Sequence, residues 1–280
     1  GLCMNHLEWS NRRYGGIGEK LLAQRDHNTM LYLNYNTGRR ISANGRSLAN
    51  TLEDLIQRNP LITSIDLVGH SMGGLVLRSA LFYGKQNMHQ WMHLTENLVC
   101  LGSPHHGAVL ERFGFILQDR LGHFPFVKIV RHIVNIRSNG ILDLRYGSVR
   151  DDDWEHNTAR IGGMYDNRKP APLPSHINTF LVAGSVVYEN RKNRHFDLLG
   201  DYLVSVKSAL GEHPNPRFQL KLPESNKAIF YGIHHFEIHY HSNVAEQIVR
   251  WFYPPPDAPI KEQVHEYRMQ LTDLSNSAPT

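Results

Sequence analysis

Cysteine is scarce in this sequence, and long apolar runs are absent. Cys3 and Cys100 are the two cysteines in 280 residues, which is too few for a disulfide framework. Both lie beside apolar residues, so we expect buried free thiols; this slightly favours the cytoplasm and otherwise leaves the compartment open. No stretch approaches the roughly 18 consecutive apolar residues of a membrane-spanning helix, so we expect no transmembrane segment. Because the sequence begins at Gly1 and not at a methionine, it does not report on a targeting signal upstream.

The sequence also lacks a dense cluster of one charge. Its formal net charge is +4 and its isoelectric point is near 9.0, but the basic residues are scattered. The densest run, residues 191–195, is short and has no aromatic side chains among its cations, so we expect a solvated loop and no nucleic-acid partner. Hydrophobic residues make up 41% and charged residues 20% of the chain, as in ordinary globular proteins. A chain of this length can form one large α/β domain.

Strand and helix patterns alternate up to Leu101. Short apolar and β-branched runs predict strands, and apolar residues at i, i+4 and i+7 predict helices. The order strand, helix, strand, helix, strand indicates parallel pairing with right-handed crossovers. The predicted elements are strand 30–35, helix 44–57 with Ser42 or Asn44 as its N-cap, strand 64–68, helix 72–83 capped by Gly84, and strand 97–101.

The pattern changes between residues 108 and 150, which we interpret as a lid or cap inserted between core elements. One face of a predicted helix in this segment is apolar. That face fits either an acyl-chain pocket or a cap that packs permanently on the core. The apolar residues are Phe126, Ile129, Val130, Ile133 and Val134.

The alternation resumes after this insertion. Strands are predicted at 178–183 and 228–231 and a last helix at 243–252, and three prolines from Pro254 end the pattern. We therefore predict one α/β domain over residues 1–253. The polar C-terminal tail, residues 254–280, is predicted to hold one short helix around 261–271.

The pattern G-x-S-x-G lies at residues 69–73, directly after a predicted buried strand. The pattern alone is a weak signal, but an apolar helix follows it directly. Such a context is typical of a nucleophile elbow, in which a serine occupies a strained turn between strand and helix. We expect Gly69 and Gly73 to let the strand and the helix approach closely. Ser71 is therefore the predicted nucleophile.

A serine hydroxyl becomes a good nucleophile only when a base within hydrogen-bond reach takes its proton. The sequence has 18 histidines, so composition does not select one. Chain order does, because the fold of a nucleophile elbow places serine first, then the acid, then the histidine after the last strand. The candidate bases are His234, His235, His239 and His241, and the candidate acids are Glu189, Asp197 and Asp201.

Motifs spread over most of the chain carry a family resemblance. Gly1-Leu2-Cys3-Met4, followed by Trp9, precedes the elbow at 69–73, and Gly-Ser-Pro-His-His-Gly follows at 102–107. Gly-Asp-Tyr-Leu-Val-Ser begins at residue 200 and His-Phe-Glu-Ile at residue 235. In this order the motifs resemble the bacterial lipase/esterase branch of the α/β-hydrolase superfamily, which is related to the GPI inositol-deacylases.

The resemblance implies roles for individual residues. Asp201 matches the catalytic acid of the family and His235 its catalytic base, and the backbone N–H groups of Leu2 and Met72 match its oxyanion-hole donors. Tyr202 stands where the family usually has glycine. The family has a histidine and a strand before the oxyanion segment, so we expect the N-terminal strands of the fold to be missing from this sequence.

Alternatives for these roles stay open at this point. Asp197 could replace Asp201 as the acid, and His234 could replace His235 as the base. His105 and His106 invite a metal-site interpretation, but no carboxylate stands nearby at metal-ligand spacing. We therefore expect structural roles for this pair and no bound metal.

Together these features predict an α/β-hydrolase fold, with a mostly parallel central sheet flanked by helices and a helical lid insertion. The predicted function is a serine carboxyl-ester hydrolase that acts on a small acyl ester or lipid, without a cofactor, through an acyl-enzyme intermediate. A thioesterase or acyltransferase with the same triad is an alternative, as is a non-catalytic binding protein of this fold. The acyl length, the alcohol and the oligomeric state stay open.

Overall fold

A parallel sheet with the strand order β1-β2-β3-β4-β5 organises the molecule. The computed structural model describes Trp9 and residues 16–108, 138–155, 168–187, 200–254 and 265–267, the last as backbone alone. Each strand pairs in parallel with the next one along the chain. All carboxyl ends therefore lie at one edge of the sheet, the edge at which open α/β folds bind ligands. The strands are β1 (Ile65–His70), β2 (Thr95–Leu101), β3 (Asn178–Ser185), β4 (Lys227–Tyr231) and β5 (His265–Tyr267).

Helices cover both faces of this sheet. In chain order, the described helices are α1 (Ile17–Leu22), α2 (Ile41–Arg58), α3 (Met72–Gln86), α4 (Trp91–Leu94), α5 (Asn139–Tyr146), α6 (Asp152–Glu155), α7 (Val206–Ala209) and α8 (Ser242–Phe252). Helices α2 and α3 pack together over one face, and α1 and α8 pack together over the other. None of these described helices is long and apolar enough to cross a membrane.

The central strands β2 and β3 each contain an unbroken apolar run, residues 98–101 and 180–183, where both faces of the sheet are covered. In β2, Leu98 and Cys100 join the core under α2 and α3, whereas Val99 and Leu101 join the core under α1 and α8. Successive side chains of a strand point to opposite faces, so a strand buried on both faces needs an unbroken apolar run. The predicted parallel sheet flanked by helices is confirmed. The thiol of Cys100 is buried, as predicted, and burial raises its pKa to about 12.

The predicted strand at 30–35 is wrong. These residues form no regular element, and Leu31, Tyr32 and Leu33 are 65%, 42% and 47% exposed. None of the described strands pairs with them. Because β propensity takes effect only where a neighbouring strand or packed surface supports it, the local pattern alone does not produce a strand here.

Two helix ends also differ from the predictions, because residues distant in sequence decide them. Gly84 does not cap α3, which continues to Gln86; a Cβ atom at Gly84 would lie 2.8 Å from Cζ2 of the buried Trp91. Helix α2 begins at Ile41, whose backbone N–H donates to Oδ2 of Asp143 at 2.8 Å. A carboxylate of α5 therefore caps α2 in place of Ser42 or Asn44, and burial raises the pKa of Asp143 to about 6.

The predicted helix in the C-terminal tail is wrong at residues 265–267. These form β5, which pairs with β4. An edge strand leaves a row of backbone N–H and C=O groups unpaired, and β5 satisfies part of that row on β4. Part of the predicted tail therefore belongs to the sheet. The predicted insertion is described only at residues 138–150, where Ile141 and Leu144 of α5 are buried in the core under α2 and α3. The five apolar residues of the predicted lid helix lie outside the described residues, so a lid there stays a prediction.

Candidate active site

A sharp turn joins β1 to α3 and holds Ser71 at its tip. Strand β1 ends at His70, and α3 begins at Met72. Ser71 has φ 55° and ψ −123°, a conformation that costs an L residue free energy and that tends to occur at functional sites. Its backbone N–H donates to the carbonyl of Leu101 at 2.9 Å. This hydrogen bond continues the β1–β2 ladder and fixes the serine at the carboxyl edge of the sheet.

Close packing of strand and helix around the turn depends on Gly69 and Gly74. A Cβ atom at Gly69 would lie 2.7 Å from the backbone nitrogen of Gly74, and one at Gly74 would collide with the side chain of Ser103. The expectation that Gly73 serves this close approach is wrong, because a Cβ atom there would meet no atom of the described residues within 4 Å. The glycine that the helix needs is therefore one position beyond the G-x-S-x-G pattern.

Three buried side chains form a continuous hydrogen-bonded relay from this turn. The Oγ atom of Ser71 lies 2.8 Å from Nε2 of His235, and Nδ1 of His235 lies 2.7 Å from Oδ2 of Asp201. A carboxylate only accepts hydrogen bonds, so Nδ1 carries the imidazole proton and Nε2 is left to accept from the hydroxyl. The arrangement is that of a serine, a base and an orienting acid.

The loop after β3 orients the carboxylate of Asp201. Its Oδ1 atom accepts the backbone N–H groups of Leu203 at 3.0 Å and Val204 at 2.8 Å, which leaves Oδ2 for the imidazole. Tyr202 has φ 80°, in the left-handed region that glycine adopts most easily. The turn thus explains why glycine is usual at this position, and Tyr202 adopts the same conformation at a cost of roughly 1–2 kcal/mol.

The backbone of His235 is held as firmly as its ring. Its N–H donates to the carbonyl of Asp201 at 3.0 Å, and its own carbonyl accepts a hydrogen bond from Nε2 of His70 at 2.9 Å. Burial, with the neighbouring His235 and His239, keeps the pKa of His70 well below its ordinary value. His70 is therefore neutral near pH 7, with its proton on Nε2. Sequence reasoning missed His70, which occupies a variable position of the G-x-S-x-G pattern.

The sequence matches a known protein family over most of its length. The model of the PGAP1-like alpha/beta domain matches residues 1–213. The chain belongs to this family. No curated protein matches the sequence. The family match contains Ser71 and Asp201 and ends before His235, so the choice of His235 rests on the resemblance of its motif, on the chain order and on the geometry of the site.

Solved structures that are similar to this chain include two bacterial proteins. Bacillus licheniformis lipase BlEst2 in its mature form shares 21% identity over 75% of this chain and 73% of its own, with a TM-score of 0.44. The product of the gene lin2722 from Listeria innocua shares 17% identity over 82% of this chain and 72% of its own, with a TM-score of 0.41. The family match and the helix-flanked parallel sheet confirm the predicted α/β-hydrolase resemblance, and at this level the chain is hydrolase-like.

The PGAP1-like domain places the other candidate bases away from Ser71. His234 faces Glu237, with 3.5 Å between Nε2 and Oε1, and His241 caps α8 through the backbone N–H of Asn243. The ring of His239 packs against that of His70, with centroids 4.9 Å apart. Of the four histidines, His235 is thus the one that contacts the serine. The alternative acids Glu189 and Asp197 lie outside the described residues.

The structure describes one of the two predicted oxyanion donors, Met72. Met72 is the first residue of α3, and the first N–H groups of a helix have no acceptor within the helix. Its backbone N–H adjoins Ser71, where a tetrahedral oxyanion would form. Leu2 lies outside the described residues, so its role stays a prediction.

His105 and His106 are held by arginines. Nδ1 of His105 lies 3.3 Å from Nη1 of Arg78, and Nδ1 of His106 lies 3.4 Å from Nη2 of Arg168. Burial and these cations lower both histidine pKa values, that of His106 to about 3. Among the described residues, no three His, Cys, Asp or Glu side chains are grouped to hold a metal ion. The absence of a metal stays a prediction.

Proposed function

We propose that this PGAP1-like domain is a serine carboxyl-ester hydrolase with Ser71 as nucleophile, His235 as base and Asp201 as the orienting acid. The observation that carries the proposal is the unbroken relay, 2.8 Å from Ser71 to His235 and 2.7 Å from His235 to Asp201. All three side chains are buried, at 6%, 3% and 1% exposure. Burial strengthens the hydrogen bonds that orient the imidazole.

Each residue has one task in the acylation step. His235 takes the proton from the hydroxyl of Ser71 through Nε2 while Oγ attacks the acyl carbonyl carbon. Asp201 keeps the proton of the imidazole on Nδ1 and stabilises the imidazolium that forms. His235 then donates its new proton to the alcohol, which leaves when the tetrahedral intermediate collapses to an acyl-serine.

Water completes the cycle by the same route. His235 takes a proton from the water molecule that attacks the acyl-serine, and it returns this proton to Oγ of Ser71 when the acid leaves. In both halves, the N–H group of Met72, with that of Leu2 as the second donor, stabilises the oxyanion. Removal of one such donor typically costs about 2.7–4 kcal/mol of transition-state stabilisation.

A small acyl ester or a lipid is the proposed substrate, because the motifs resemble those of lipases and esterases. The same relay would serve a thioester, or an acyl transfer to an alcohol, since fold and triad are shared by these reactions. A series of p-nitrophenyl esters of increasing acyl length, together with a matched thioester, therefore tests the substrate class.

The experiment compares the wild type with Ser71→Ala on that series. We expect ester hydrolysis by the wild type and a rate below about a tenth of it for Ser71→Ala, with unchanged circular dichroism. Alanine tolerates the turn at φ 55° no worse than serine does, so the variant isolates the hydroxyl. A folded Ser71→Ala protein that retains more than this activity would falsify the nucleophile assignment.

A further inference from the structure

A basic cavity lies beside α3, away from the relay of Ser71, His235 and Asp201. It is enclosed by α3, by the loop after β2 and by the segments 147–153, 168–172 and 217–220. The volume of this α3 cavity is about 60 Å³, counted as the positions that the centre of a water molecule can occupy. One buried water needs about 10–15 Å³ of such space, so the α3 cavity has room for a group of about four or five heavy atoms.

Arg78 is the deepest cation of the α3 cavity. It is 7% exposed, and its guanidinium donates to the carbonyl of Ala171 at 3.2 Å and to Nδ1 of His105 at 3.3 Å. Both partners are uncharged. The Nε atom is buried with no hydrogen-bond partner among the described residues. A buried charge is costly unless it is well paired. Asp153, which lines the same cavity, offsets this cost only in part, since burial still lowers the pKa of Arg78 to about 10.

His105 presents a second buried donor in the same place. The guanidinium of Arg78 only donates hydrogen bonds, so Nδ1 of His105 accepts and its proton lies on Nε2. That Nε2 atom is buried and has no partner within the described part of the chain. Two buried N–H groups, on Arg78 and His105, therefore await an acceptor, and both residues line the α3 cavity.

The charge of the remaining lining favours an anion as that acceptor. Arg168, Lys169 and Arg217 also line the α3 cavity, and Asp153 is the one carboxylate among the described lining residues. The oxygens of Asp153 accept the backbone N–H groups of residues 149, 150 and 169. Three arginines and Lys169, which also pairs with Asp152 at 2.9 Å, thus surround the space, and backbone donors hydrogen-bond to the one carboxylate among the described lining residues.

We propose that the α3 cavity binds a small oxyanion, a phosphate group, held by Arg78 and His105 at its base and by Arg217 at its rim. Phosphate offers several acceptor oxygens within the available volume, and arginine forks match its geometry. Its negative charge compensates the buried guanidinium, and its oxygens accept from the two unpartnered donors.

One loop connects this cavity to the proposed active site. Gly102 lies next to Asp201 and His235, since a Cβ atom there would be 3.0 Å from Oδ2 and 3.4 Å from Nδ1. Three residues further along the chain, His105 lines the α3 cavity. Because the cavity and the proposed active site share this loop, we consider two sources of the bound phosphate group: a free phosphate ion, or the headgroup of an ester substrate. The second source rests on the proposed function.

Calorimetric titration of inorganic phosphate into the purified protein, in chloride at constant ionic strength, tests the binding site itself. We expect one saturable site in the wild type and at least a tenfold weaker affinity in Arg78→Met, which keeps an apolar stem and removes the charge. Arg217→Gln changes an exposed residue and should fold normally, yet it should also weaken binding several-fold. Arg58→Gln, an exposed substitution at the end of α2 that does not line the α3 cavity, is the matched control and should bind as the wild type does.

The absence of saturable phosphate binding in the wild type overturns the proposal. Equal binding by the wild type and both cavity variants overturns it as well, because salts such as phosphate also act non-specifically on protein surfaces. None of these titrations needs ester hydrolysis, so the site is tested even if the proposed function fails.

A second measurement separates the two sources of phosphate. Hydrolysis of a monoacylglycerol is compared with that of the same ester carrying a phosphate on its free hydroxyl. A headgroup site predicts that Arg217→Gln raises KM for the phosphorylated ester alone and that inorganic phosphate competes with it. A free-ion site predicts equal effects on both esters, with phosphate still bound in the calorimeter. Either result upholds the oxyanion site.

Discussion

At the scale of single residues, hydrogen bonds to both the ring and the backbone of His235 fix the position of the proposed base. Its ring contacts Ser71 and Asp201, its N–H contacts the carbonyl of Asp201, and its carbonyl contacts His70. A base that must take a proton within a narrow range of geometry benefits from each constraint. The constraints come from residues that are far apart in sequence and that meet at the carboxyl edge of the sheet.

Asp201→Asn should leave the protein folded and lower kcat for ester hydrolysis by about 10⁴-fold, the loss that follows removal of the acid in serine proteases. An asparagine offers its NH₂ group or its carbonyl to Nδ1, so the imidazole no longer keeps the tautomer that accepts from Ser71. Steady-state kinetics of Asp201→Asn and Asp197→Asn check this, with Asp197→Asn expected to stay close to wild type. The reverse order would make Asp197 the acid.

His70→Phe should lower kcat by roughly tenfold with little change in KM, because the carbonyl of His235 loses its buried donor. His70→Gln should restore most of the loss, since a glutamine NH₂ group can donate to the same carbonyl. Kinetics of the pair, with melting temperatures of both, separate positioning from folding. If both variants lose activity only in proportion to their loss of stability, His70 is merely structural.

How far the sequence predicts the site differs from residue to residue. Ser71 follows from a pattern in the right local context, and Asp201 and His235 follow from the family resemblance and chain order. His70 does not follow, because its role needs the packing of β1 beside the segment that carries His235. Tyr202 is also beyond a sequence rule, since only the turn geometry shows that a non-glycine residue adopts φ 80° there.

At the scale of elements, the junction of β1 and α3 decides how close Ser71 comes to its base. Gly69 and Gly74 face each other across this junction, and Gly74 also contacts the side chain of Ser103 on the loop after β2. A Cβ atom at Gly73 would meet none of the described residues within 4 Å. The two adjacent glycines of α3 should therefore respond differently to the same substitution.

Gly74→Ala should destabilise the fold by about 1–3 kcal/mol, the usual cost of inserting a methyl group into a packed core. Gly73→Ala should be neutral or slightly stabilising, because alanine favours the helical conformation more than glycine does. The new methyl group at residue 74 would lie 2.8 Å from Cβ of Ser103 and 3.2 Å from Cβ of Cys100, both on fixed backbone. Urea unfolding of the two variants measures the difference. Equal free energies of unfolding would show that the junction accommodates the methyl group.

The sequence predicts a helix or strand correctly where residues close together in the sequence determine it. Helices α2 and α3 and strands β1 to β4 follow from apolar periodicity. The start of α2 at Ile41 does not, because Asp143 on α5 caps it. The end of α3 at Gln86 does not, because Gly84 packs on Trp91, and β5 forms only because β4 offers an edge.

At the scale of the whole molecule, several histidines are buried in the neutral form. Burial holds the pKa values of His70 and His105 well below the ordinary value of 6.5 and that of His106 at about 3. Below pH 6.5 the unfolded chain therefore binds protons that the folded chain does not. Stability rises with pH wherever the unfolded state binds more protons, so these groups destabilise the fold as the pH falls.

The free energy of unfolding should fall as the pH is lowered from about 7 to about 5. Each such histidine contributes up to about 1.4 kcal/mol per pH unit. Asp143 opposes the trend below pH 6, because its raised pKa of about 6 lets the folded state bind a proton first. Urea unfolding at a series of pH values checks the sign and the slope. A free energy that stays constant or increases over this range would contradict the buried neutral histidines.

The central claim, that Ser71 is an activated nucleophile, is tested most directly by labelling with a fluorophosphonate and locating the adduct by mass spectrometry. We expect one adduct per chain, on the peptide that contains Ser71, no adduct in Ser71→Ala, and much slower labelling in His235→Ala. A folded wild-type protein that stays unlabelled, or that carries its adduct on another serine, would contradict the account.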